Sequence, residues 1–174
     1  MSQLGIEQPR YTTIEISKED MHFAAAHFTI FSATERENLH GHNFYMALDA
    51  TALVGDNGIT FDYNVLKKAA RQLCDDLDEQ VLMPSLSPYL EIEEGSDYTY
   101  ALYNGERIPF LVRDLTVLPV RNITVEEMAH YFLNELLDTE EIKALDLVSL
   151  NLKCASGDGQ WASSGWQKNQ EVPA

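Results

Sequence analysis

The stretch Leu39-His40-Gly41-His42-Asn43-Phe44-Tyr45-Met46-Ala47-Leu48 decides how this chain is read. Its apolar and aromatic character continues to Val54, where Gly55-Asp56-Asn57-Gly58 supplies a strong turn signal. That pattern suits a long strand. Along a strand, residues two apart face the same way, so His40 and His42 project side by side and Gly41 adds no bulk between them. Such a pair is half of a metal site, or simply two exposed imidazoles; the triplet alone leaves both open.

Moving towards the N-terminus, Tyr11 to Ser17 alternates Ile14 and Ile16 with polar neighbours, as a strand does. Met21 to Phe31, rich in Phe, Ala and Ile, reads as a second strand. The connection Ser32 to Asn38 lets that strand pair antiparallel with the Leu39 to Val54 run and brings His27 near His40 and His42. Three neutral imidazoles with a fourth position open form a catalytic-type zinc arrangement. On its own, a histidine such as His27 on an otherwise apolar strand is more often a hydrogen-bonded core residue.

Moving towards the C-terminus, Ile59 to Phe61 begins a return. Asp62 is placed to cap a helix running to about Leu77, with Val65, Leu66, Ala69, Ala70, Leu73, Cys74 and Leu77 at helical spacing. Cys74 therefore belongs to the core. The region Leu82 to Val117 opens with Pro84-Ser85-Leu86-Ser87-Pro88. It contains Tyr98 to Tyr103 and Arg107 to Val112 around Asn104-Gly105-Glu106, a hairpin pattern. Thr124-Val125-Glu126-Glu127 is a capping box opening a second helix, followed by Met128, Phe132, Leu133, Leu136 and Leu137. Leu147 to Cys154 is a last strand, and Ala155 to Gly165 is Gly/Ser-rich. The first ten residues and Gln167 to Ala174 read as frayed ends. The order β-β-β, α, strand pair, α, β is an α+β arrangement.

The chain has 174 residues, which suits a single domain, and a net charge of −16. That charge argues against nucleic acid and against anionic membrane surfaces, both of which require clustered Lys and Arg. No apolar run approaches the ~20 residues that span a bilayer, and MSQLGIEQPR carries no signal-peptide pattern. The expected location is the cytoplasm. Two cysteines, Cys74 and Cys154, are expected as reduced thiols.

Phe23-Ala24-Ala25-Ala26-His27 followed by Leu39-His40-Gly41-His42-Asn43-Phe44 resembles the zinc motif of the 6-pyruvoyl-tetrahydropterin synthase family, which includes the related 6-carboxy-tetrahydropterin synthases. The resemblance continues through Gly58-Ile59-Thr60-Phe61-Asp62-Tyr63, Leu66-Lys67, Leu77-Asp78 and Thr124-Val125-Glu126-Glu127, covering about residues 10 to 165. It implies the tunnelling fold: a four-stranded antiparallel sheet with two helices on one face, here with an inserted hairpin at about 82–117. It further implies Zn2+ on His27, His40 and His42, a small pterin-like substrate, and a homohexamer built from two trimers. In the family, zinc holds side-chain oxygens of a pterin and acidifies neighbouring C–H and O–H bonds. A cysteine acts as base, an Asp-His pair tunes it, and a late glutamate anchors the pterin ring.

Three of these parts differ here. Arg36 stands where the cysteine would be. The Asp-His pair reads Asp78-Glu79. Cys154 stands about where the pterin-anchoring glutamate would be. Glu37-Asn38-Leu39-His40-Gly41-His42 resembles an E-x-x-H-G-H variant in which a glutamate moves the proton, so Glu37, Asp78 and Glu79 are the candidate catalytic residues. The variant enzymes release 6-hydroxymethyl-dihydropterin. Arg36, Glu126 and Cys154 are the candidate substrate contacts. Arg36 is suited to a phosphate oxygen or to a surface ion pair, Glu126 to ligand contact or to helix capping, and Cys154 to a thiol role or to a strand core. Trp161 and Trp166 pack at an edge or stack on a heterocycle. His22 and His130 lie outside the motif and read as structural or exposed. A family member without catalysis that binds a pterin or purine-like ligand is the alternative function. An interaction protein without metal is a third.

Overall fold

A computed structural model describes residues 9–168; the ends read as frayed lie partly outside these, at 1–8 and 169–174. The Leu39 run forms β2 (His40–Leu53), and the two strands expected before it are one, β1 (Tyr11–His27). They pair antiparallel from Tyr11↔Leu53 to His27↔His40, with a register shift between Ser17 and His22. The charged run Lys18-Glu19-Asp20 breaks the alternation there. A bulge absorbs the extra residues and returns Met21, Phe23 and Ala25 to the buried face already occupied by Ile16. The strand stops at His27, so Phe28 and Ile30 leave the sheet for a second hydrophobic cluster.

Beyond β2, β8 (Ser149–Ala155) pairs antiparallel with it, and β9 (Ala162–Gln167) pairs with β8. The sequence Ala-Ser-Ser-Gly-Trp-Gln has little strand character of its own and reads as loop. Pairing prevails because Ala162 and Trp166, opposite Cys154 and Leu150, turn towards the core. On the other side, β3 (Gln80–Pro84) runs parallel to β1, and β7 (Leu115–Leu118) parallel to β3. The expected four-stranded antiparallel sheet is thus the β1-β2-β8-β9 portion of a six-stranded sheet, ordered β7-β3-β1-β2-β8-β9. Its two parallel strands flank the insertion. The insertion is larger than a hairpin: β4 (Glu91–Glu94), β5 (Tyr98–Tyr103) and β6 (Glu106–Leu111) form a separate antiparallel sheet. Its β5–β6 turn holds Asn104 and Gly105 at φ 47° and 79°, the positive values that a tight hairpin turn demands.

Two helices cover one face of the large sheet. The first, α1 (Asn64–Asp75), buries Leu66, Ala70 and Cys74; Asp62 accepts from the Asn64 N–H at 3.0 Å. The second, α2 (Val125–Asp138), buries Met128, Ala129, Phe132, Leu133 and Leu136, with Thr124 as its N-cap. The capping box is not reciprocal: the Glu127 carboxylate accepts from the Arg121 N–H at 2.8 Å instead. A short α3 (Glu140–Lys143) follows. At the centre Phe23 stacks on Phe44 at 5.0 Å, and Phe132 meets Phe23 edge-on at 5.8 Å. Among the described residues no helix is long and apolar enough to cross a membrane.

Candidate metal centre

The antiparallel register places His27 at the end of β1 directly opposite His40 at the start of β2. His42, two residues on, shares His40's face. The three rings converge, with centroids 4.7 Å (His27–His40), 5.3 Å (His27–His42) and 4.8 Å (His40–His42) apart. One ring nitrogen from each lies within 4.8 Å of the others. His40 Nδ1 lies 2.8 Å from the Asn38 carbonyl oxygen, a contact that makes Nδ1 the donor and directs Nε2 inward.

His27 is 5% exposed, yet among the described residues neither Nδ1 nor Nε2 has a hydrogen-bond partner. A buried polar atom without a partner costs about 1–3 kcal/mol. A cation that accepts the lone pair removes that cost, and three neutral imidazoles suit a divalent transition metal. Burial, together with the neighbouring His40 and His42, pushes His27 down from 6.5 to about 4, so the ring is neutral and ligand-ready at physiological pH.

This shift predicts how metal-free protein responds to acid. Above pH 6.5 His27 is neutral folded or unfolded and favours neither state. As pH falls from 6.5 to 4, the unfolded chain takes up a proton that the folded one resists, and stability declines by about 3 kcal/mol. Chemical denaturation of the chelator-treated protein across that window checks this. A flat profile contradicts it.

The imidazoles form one wall of a cavity of about 450 Å³. Glu37 stands at its mouth, 3.9 Å from His40 Nε2. Its carboxylate accepts from the Thr29 N–H at 3.0 Å, and its own N–H donates to the Thr29 carbonyl at 2.9 Å. The Thr29 hydrogen bond holds the Glu37 carboxyl below its ordinary value, so it is ionised at neutral pH. Glu126, in the first turn of α2, lines the same cavity with Ile123, Thr124 and Val125. Ser156, Gln160 and Trp161 of the loop between β8 and β9, with Ala162 at the start of β9, close it. Among the described residues no Lys or Arg lines it.

Four candidates lie elsewhere. Arg36 turns away from the cavity: its guanidinium lies over the Phe28 ring at 4.7 Å and bonds Glu106 of the inserted sheet at 3.2 Å. Cys154 is fully buried beneath the helices, where burial pushes its thiol up to about 12; it does not line the cavity and belongs to the core with Cys74. The cause is parity, since Cys154 opposes Met46, and both point inward. Asp78 and Glu79 are exposed and bracket Ala24 on β1. Asp78 Oδ1 accepts the Ala24 N–H, and Glu79 N–H donates to the Ala24 carbonyl, each at 2.8 Å. Glu79 borders a second groove, with Gly41, His42 and Asn43. Within one chain neither reaches the cavity. Sequence reasoning missed Thr29, Ile123, Ser156 and Gln160, because backbone donors and loop side chains carry no spacing signal. Trp161 does line the cavity, whereas Trp166 packs against the core.

The sheet, its helices and the imidazole trio place this chain among tunnelling-fold proteins with a histidine cluster able to hold a metal ion. Residues 15–163 match the profile described as 6-pyruvoyl tetrahydropterin synthase, and the chain belongs to that family. A Methanocaldococcus jannaschii protein provisionally named 6-carboxy-5,6,7,8-tetrahydropterin synthase is 26% identical over 154 residues, spanning 87% of this chain and 93% of its own. The crystal structure of 6-pyruvoyl tetrahydropterin synthase from Plasmodium vivax superimposes with a TM-score of 0.84 at 25% identity, covering 91% of this chain and 99% of that one. The P. vivax protein has also been solved with a catalytic glutamate changed to alanine; that structure is 24% identical here, with the same TM-score and the same coverage of both chains.

Proposed function

We propose that this protein is a zinc-dependent pterin-pathway lyase acting on a dihydroneopterin triphosphate-like compound by carbon–oxygen or carbon–carbon bond cleavage. The observation that carries this reading is the ionised Glu37 carboxylate 3.9 Å from His40 Nε2, at the mouth of a cavity walled by three imidazoles. His27, His40 and His42 are the residues that hold the metal. Bound there, it supplies Lewis acidity to side-chain oxygens of the substrate. Glu37 takes the proton from the acidified side-chain position and returns it to the product, staying in place through its bond from Thr29. Glu126 accepts N–H groups of the heterocycle, and Trp161 offers a ring face to it. That a glutamate of the P. vivax protein is described as a catalytic residue supports this reading of Glu37.

Among the described residues, the phosphates of such a substrate meet no cationic side chain in the single-chain cavity. Asp78 and Glu79 line no part of the single-chain cavity and would join a site presented by a neighbouring copy. We further propose a homohexamer of two stacked trimers, working in the cytoplasm, with each site completed by a partner subunit. Zinc-loaded protein incubated with dihydroneopterin triphosphate is expected to consume it and release a pterin with an altered side chain, followed by chromatography with fluorescence detection. Tight binding without any turnover would instead identify a family member that only binds its ligand.

A further inference from the structure

Glu37 belongs to an exposed connection, and such segments are mobile unless something fixes them. Here the segment is clamped from two sides. Ile30 bridges Arg36, so the chain doubles back and the Arg36 and Glu37 side chains leave it in opposite directions. Glu37 faces the imidazoles; Arg36 faces the inserted sheet. Arg36 Nη1 donates to the Glu37 carbonyl at 2.7 Å, and Nη2 donates to Glu106 at 3.2 Å. The guanidinium lies against Phe28 at 4.7 Å and Tyr103 at 5.6 Å, leaving the side chain 19% exposed. The Tyr103 hydroxyl donates to the Ser32 carbonyl at 3.0 Å. From the other flank, the Asn122 amide bonds both the N–H and the carbonyl of Ile30, at 3.1 and 2.9 Å.

We propose that Arg36 is a positioning residue: it bonds the Glu37 carbonyl and packs on Phe28 and Tyr103, and so holds the Glu37 carboxylate at the cavity from the inserted sheet. A planar fork that both stacks and donates in two directions is particular to arginine. The insertion then has a task, as the abutment against which the base is held. This inference rests on reading Glu37 as the base, and its test includes a measurement that does not depend on turnover.

The test uses the full-length, zinc-loaded protein with Arg36→Ala and Arg36→Lys. Amide exchange at Thr29, whose N–H bonds the Glu37 carboxylate, is followed by NMR beside Phe44 and Leu48 in β2. Thr29 exchange is expected to accelerate about 10-fold or more, with Phe44 and Leu48 unchanged. In steady-state assays kcat is expected to fall about 10- to 100-fold, with KM and zinc content near wild type, since small misplacements of a reacting group have effects of this size. Lysine is expected to restore little. Should Arg36→Ala fold poorly, Glu106→Gln loosens the same clamp, and an acceleration of several-fold confined to Thr29 is expected. Unchanged Thr29 exchange, or equal acceleration at Phe44 and Leu48, overturns the proposal. A Thr29 effect in a protein that never turns over substrate overturns only the base assignment.

Discussion

Replacing Glu37 with glutamine is expected to lower kcat about 100- to 10,000-fold, the usual contribution of a positioned general base, while zinc content and folding stay near wild type. The amide oxygen of glutamine still accepts the Thr29 N–H, so the side chain keeps its place and loses only its capacity to take a proton. KM is expected to change little, because the carboxylate acts on the reacting atoms rather than on the body of the ligand. The competing carboxylates differ in kind: that of Asp78 accepts from the Ala24 N–H of β1, that of Glu79 lies outside the cavity, and Glu126 is part of the cavity lining. Turnover of Glu37→Gln within about twofold of wild type would remove Glu37 from the proton path.

Changing His27 to leucine should separate metal binding from folding. Zinc affinity is expected to drop by more than the about 10- to 100-fold that loss of an outer-shell partner brings, because a direct ligand is gone. Metal-free stability is expected to rise by about 1–3 kcal/mol, since an apolar group of similar size replaces two buried ring nitrogens that have no partner among the described residues. The decline between pH 6.5 and 4 should vanish with it. Few substitutions of a buried polar residue are expected to stabilise. Calorimetry of chelated wild type and variant, paired with zinc titration, reads both halves. A variant less stable than metal-free wild type would mean that His27 is an ordinary core histidine.

Much of this was legible in the residues. His40-Gly41-His42 on a strand forced two imidazoles to one face, and β1 register delivered the third. The helix faces of Leu66, Ala70, Cys74 and of Met128, Phe132, Leu136 are plain in their spacing. What escaped detection depended on tertiary context. β9 has almost no strand propensity and exists because β8 offers it an edge and the core accepts Trp166. Lys18-Glu19-Asp20 looked like a break and is a bulge within one strand. Arg36 and Glu37 are adjacent, both charged and both part-exposed; only the fold of their loop shows which one faces the imidazoles. Cys154 could have been placed by parity alone, since it alternates with Leu150 and Leu152 on the buried face.

X-ray diffraction from unchelated crystals, collected above and below the zinc absorption edge, examines the foundation directly. A single anomalous peak per chain, present only above the edge and bonded to one nitrogen each of His27, His40 and His42, is the predicted result. No peak there in protein kept at neutral pH with zinc supplied, and the three rings left without a shared ion, would contradict it.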